Sequence, residues 1–107
     1  MKYADIPVDD PIKRQVEIPE ENWFSCKAIA EMILTKYPHL SVDGQIRTVQ
    51  KAAQTLRAIS EIKLRKYGYT KDDVTPRRTF KTPVYTRKGA IAILEIIGYG
   101  VNNVTEE

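Results

Sequence analysis

Between Gly44 and Ser60 the chain carries no acidic side chain, while Ile46, Val49, Ala52, Ala53, Leu56 and Ile59 recur at steps of three, three, one, three and three. That spacing places the apolar residues on one face of a helix and predicts one from about Asp43, a candidate N-cap, to Ile59. Its opposite face presents Arg47, Thr48, Gln50, Lys51, Gln54 and Thr55. Whatever the rest of the chain does, it must cover one side of this helix and leave a cationic, hydrogen-bonding side open.

The charge around that helix is segregated. Residues 1–46 hold five basic and eight acidic side chains, a net of −3. Residues 47–88 hold twelve basic and three acidic, a net of +9, and residues 89–107 return to −3. A local positive field attracts phosphates and releases their counterions, so this pattern suits a polyanion-binding surface; a solvated basic face is the alternative.

At 107 residues there is room for one domain with one core. Pro7, Pro11 and Pro19 exclude a long helix in residues 1–22, which read as an extended arm with a short strand at Gln15 to Ile18. Ser25 can cap a helix whose stripe is Cys26, Ile29, Ala30, Ile33 and Tyr37; Pro38 stops it, and residues 38–42 make a tight connection to the second helix. Ile62-Lys63-Leu64-Arg65 alternates and predicts a strand. Residues 68–76 read as a charged loop, and Phe80, Thr82 and Val84 predict a second strand that Pro83 confines to a sheet edge. The expected hairpin thus spans 62–85 with a basic tip. Thr86 caps a last helix, Arg87 to Ile97, closed by Gly98 and Gly100. The division is an arm over 1–22, a domain over 23–100 and a flexible tail over 101–107. The fold class is mainly α with a small β-hairpin (α+β).

The order helix, turn, helix, hairpin, helix over Ser25 to Ile97 resembles the winged helix-turn-helix family of DNA-binding proteins. Cys26-Lys27-Ala28-Ile29-Ala30-Glu31-Met32 is similar to the first helix of the motif. Ile46-Arg47-Thr48-Val49-Gln50-Lys51-Ala52-Ala53-Gln54-Thr55-Leu56 is similar to a recognition helix, and Tyr85-Thr86-Arg87-Lys88-Gly89 to the start of the helix that follows the wing. The resemblance implies a small transcriptional regulator that binds double-stranded DNA. Its chemistry fits, since arginine pairs with guanine and glutamine with adenine in the major groove. The expected contacts are Arg47, Thr48, Lys51, Gln54 and Thr55 on the helix, and Lys71, Arg77, Arg78 and Lys81 on the hairpin.

Catalytic chemistry has little to work with. His39 and Cys26 are the only residues of their kinds, the acids do not cluster, and the five glycines form no phosphate-binding loop. Neither an enzyme nor a metal or cofactor site is expected. The lone cysteine excludes an intrachain disulfide and points to a reducing, cytoplasmic setting. No apolar run nears the ~18 residues of a membrane span, and Met1 to Asp5 lacks the apolar segment of a secretory signal, so no membrane partner is expected.

The last helix holds Ala90, Ile91, Ile93, Leu94, Ile96 and Ile97, more than one apolar stripe. A homodimer through residues 87–99 is therefore expected, with Ile91, Ile96 and Tyr99 on the second face; the N-terminal arm folding over that face is the alternative. The rival function is a protein-interaction module on the same scaffold, using the basic face or that helix.

Overall fold

Each of the five helices among the described residues begins on a serine or threonine whose hydroxyl oxygen accepts the main-chain N–H three residues on. Ser25 takes the amide of Ala28, Ser41 that of Gly44, Ser60 that of Lys63, Thr70 that of Asp73 and Thr86 that of Gly89, at 3.0–3.3 Å. Such caps satisfy donors that a helix leaves without internal partners. The computed structural model describes residues 14–103 apart from Phe80. The helices are α1 (Cys26–Lys36), α2 (Val42–Ala58), α3 (Glu61–Lys66), α4 (Lys71–Val74) and α5 (Arg87–Ile97). The strands are β1 (Gln15–Ile18), β2 (Phe24–Ser25), β3 (Arg77–Thr79), β4 (Thr82–Tyr85) and β5 (Gly100–Asn103).

The fold is mixed α+β. Helix α2 lies at its centre, with α1 and α5 packed on it. Its Val49, Ala52, Ala53 and Leu56 are buried, as are Ile29, Ala30 and Ile33 of α1 and Ala90, Ala92, Ile93 and Leu94 of α5. Full burial of one large aliphatic side chain is worth about 1.5–3 kcal/mol, so this contact set holds α2 rigidly against the rest. Strands β2, β4 and β3 form an antiparallel sheet in that order; β1 and β5 form a separate parallel pair.

Several expectations are corrected. The α2 cap is Ser41, and Asp43 sits instead in the first turn, where its charge suits the helix dipole. Residues 62–65 are helical, within α3. Ser60 caps the turn, Glu61 pairs with Arg65 one turn on at 3.2 Å, and of the supposed inward pair only Leu64 is buried, with Ile62 76% exposed. Four alternating residues satisfy a helix as well as a strand when only one of them faces the core. The charged loop contains α4, held by a reciprocal capping box between Thr70 and Asp73. The hairpin shrinks to β3–β4, with Arg77 opposite Val84, Arg78 opposite Pro83 and Thr79 opposite Thr82. Pro83 is in the central strand, not at an edge. It is tolerated because β2 pairs only with Val84 and Tyr85, so no neighbour seeks a proton from residue 83 on that side.

The ends differ as well. The strand at Gln15–Ile18 forms, with Val16 and Ile18 fully buried, but its partner is β5, so pairing continues to Asn103. The arm's residues 1–13 and the tail's 104–107 lie outside the described residues. Gly98, at φ 120°, ends α5 and turns Tyr99 inward, where it is 7% exposed and stacked on Tyr37 at 6.0 Å. Ile91 and Ile97 are half-buried against the core, leaving Ile96, at 40%, as the exposed large apolar side chain of that segment.

Candidate nucleic-acid interface

Successive positions 46, 50, 53, 54 and 57 of α2 lie along one flank of the helix, because residues three and four apart share a face. Ile46, Gln50, Ala53, Gln54 and Arg57 form one wall of an open groove of about 860 Å³. The N-terminus of α1 supplies Ser25, Cys26 and Lys27, and the hairpin side supplies Pro76, Arg78, Thr82, Pro83 and Tyr85. Thirteen residues line it, three of them cationic and none acidic. Among the described residues, then, no acid lines the groove to offset the field that Lys27, Arg57 and Arg78 create there.

The walls are tied together. Tyr85, 2% exposed, accepts a hydrogen bond from the Arg57 guanidinium at 2.8 Å, which links α2 to β4 across the groove floor. Burial raises the Tyr85 hydroxyl's pKa, with a further push from Cys26, against the opposing pull of Arg57 and Arg78. Burial likewise raises the pKa of the half-buried Cys26 thiol, partly offset by Arg57. Both groups stay protonated and neutral near pH 7, so the groove keeps its positive sign.

The expected contacts divide. Gln54 and Arg78 meet in the groove. Arg47 and Lys51 are exposed on the neighbouring flank of α2, and Lys81 is exposed in the hairpin turn; none of the three has an ion-pair partner among the described residues. Thr48 and Thr55, three residues before and four after Lys51, are exposed beside it and lie outside the groove. At 100° per residue they fall on the far side of α2 from Gln50, and their hydroxyls donate to the carbonyls of Gly44 and Lys51 at 2.8 and 3.0 Å.

Arg77 and Arg78 do not act as a pair. Neighbouring strand residues point to opposite faces, so Arg78 enters the groove while Arg77 stacks its guanidinium 4.9 Å over the ring of Trp23. Trp23 is 45% exposed with φ 78°, whereas Phe24 is the residue that enters the core.

Lys71 is not at a hairpin tip. It begins α4, and its ammonium donates to the main-chain oxygen of Arg57 at 2.6 Å, closing the C-terminal end of α2. Lys71→Met is accordingly expected to lower stability by about 1 kcal/mol in a urea melt, with no change in affinity for any polyanion.

Lys27, Gln50 and Arg57 are not among the contacts expected from sequence, although Gln50 is on the polar face read there. Gln50 and Arg57 could have been among them, since both flank the apolar stripe on the side of Ile46; Lys27 carries no local signal. Among the described residues no group of His, Cys, Asp or Glu could hold a metal ion, and no helix is long and apolar enough to cross a membrane. Comparison with protein-family models, curated protein sequences and solved structures finds no match to this chain.

Proposed function

We propose that this chain is a sequence-specific double-stranded DNA-binding protein of the winged helix-turn-helix type, acting as a small transcriptional regulator. In this reading α1 and α2 are the helix pair and β3–β4 is the wing. The observation that carries it is the acid-free groove, in which cations from α1, α2 and the hairpin converge beside the open face of α2. A sugar-phosphate backbone lying in the groove meets Lys27, Arg57 and Arg78. The row Arg47, Lys51 and Gln54 then faces a major groove, where arginine and glutamine read guanine and adenine.

Two-fold pairing through residues 87–99 is not needed for this. Ile91 packs on the core and Tyr99 is buried, so Ile96 alone remains of the expected second face. The rival protein-interaction role for the last helix loses the same side chains.

Selection of bound sequences from a random duplex pool tests the proposal. A motif is expected, and Gln54→Ala should cost about 1–3 kcal/mol on it and flatten the preference at one position. Lys27→Ala combined with Arg78→Ala should weaken binding to every duplex alike. Retention of duplex without a motif would remove the sequence-specific reading, and no retention in dilute salt would remove DNA binding altogether.

A further inference from the structure

On the other flank of α2 from the groove, a second concavity of about 350 Å³ opens between the end of α2, α3 and α5. This is within the range of small-ligand sites. Leu56, Leu64, Ala92 and Ile96 give it apolar walls, and the rings of Tyr67 and Tyr69 add aromatic ones. Tyr67 is 68% exposed, an aromatic surface left in water beside an apolar hollow.

Two opposite charges line the same pocket, Lys63 from α3 and Glu95 from α5. They do not pair with each other, and Lys63 has no acidic partner among the described residues. Glu95 is held in place on one side, its Oε1 accepting the Tyr69 hydroxyl at 2.6 Å. Burial, with Glu95 reinforcing it, raises the Tyr69 pKa, so that hydroxyl remains the donor in this hydrogen bond. The second carboxylate oxygen has no partner of its own among the described residues.

We infer that this pocket binds a free α-amino acid with a large apolar side chain. Its carboxylate meets Lys63, its ammonium meets Glu95, and its side chain lies against the apolar and aromatic walls. A zwitterion matches both unpaired charges at once, whereas an apolar molecule or a simple acid or amine leaves at least one unmatched. Both charged groups are exposed and solvent-screened, so each contact is worth little and affinity rests chiefly on the walls. The inference stands apart from the duplex-binding reading.

The test is an amide NMR titration of the full chain with L-phenylalanine, phenylacetate and phenethylamine. L-phenylalanine should give saturable shifts centred on Ile59, Lys63, Ala92 and Ile96, and each analogue should bind about fivefold more weakly. Lys63→Met should erase the advantage of L-phenylalanine over phenethylamine. Glu95→Gln, which keeps an acceptor for Tyr69, should erase its advantage over phenylacetate. A dispersed spectrum shows that each variant is folded. Equal binding of the three probes overturns the inference, as does the absence of saturable shifts up to about 20 mM. Shifts of the same amides with protein concentration alone also overturn it, by showing that a second copy of the chain fills the pocket.

Discussion

Gly89→Ala is expected to lower the unfolding free energy by about 2–3 kcal/mol and the melting temperature by about 10 °C or more. Gly89 is the third residue of α5, fully within the helix, and its amide is already committed to the Thr86 hydroxyl at 3.2 Å. A methyl group there would overlap the main-chain carbonyl oxygen of Asp73, where α4 crosses α5. Backbone cannot move aside as a side-chain tip can, so the crossing must open and loosen the packing around Val74, which is 1% exposed. The intrinsic helix preference for alanine returns only about 1 kcal/mol. Gly44→Ala is the control: its methyl would meet only the Ser41 side chain, at 3.2–3.3 Å, and the helix preference should offset that crowding. Thermal melts of the two variants check both statements. A Gly89→Ala protein as stable as the wild type would mean that α4 does not approach α5 this closely.

Raising salt from about 50 to 200 mM should weaken duplex binding by about 10²–10³-fold, from a slope of log affinity against log salt of about −4 to −5. Lys27, Arg57 and Arg78 in the groove and Lys81 in the hairpin turn, with Arg47 and Lys51 alongside, are exposed and have no acidic partner among the described residues. Each phosphate that such a cation neutralises contributes ~0.9 to the slope. Lys27→Ala with Arg78→Ala should therefore flatten the slope by about 2. Arg77→Ala should leave it unchanged, because that guanidinium lies over Trp23 on the opposite sheet face. Fluorescence anisotropy of a labelled duplex across a salt series measures all three proteins. A wild-type slope near zero would sink the electrostatic basis of the proposal. A loss in Arg77→Ala equal to that in the Lys27→Ala, Arg78→Ala double variant would show that the groove is not where the backbone lies.

How far the sequence could be read depends on which interactions are local. Ser25 and Thr86 were recognisable as caps because a helix start is decided within four residues. The apolar stripe of α2 was recognisable because seventeen helical residues repeat it over several turns. The capping box of α4 was equally local, with threonine at 70 and aspartate at 73, and was hidden only by the charged residues around it. The alternation at 62–65 was too short to distinguish two periods. Of the contacts expected by residue type, Gln54 and Arg78 line the groove, whereas Thr48, Thr55, Lys71 and Arg77 do not, because residue type carries no information on which side of an element a side chain takes.

By itself, then, the amino-acid order determined the helices α1, α2 and α5, the face α2 buries, the short strand at Gln15–Ile18 and the concentration of positive charge in residues 47–88. These follow from periodicity, capping and composition, which are properties of neighbouring residues. Tertiary structure alone decided that β1 finds its partner in β5, more than eighty residues later in the chain, and that Gly98 turns Tyr99 onto Tyr37. It also decided that Lys27, Gln50, Arg57 and Arg78 share one groove while Arg77 and Lys71 do not. Those choices depend on which surfaces α2 has left to cover and which side of a strand each residue occupies. No local pattern encodes them, because they are settled only when the core closes.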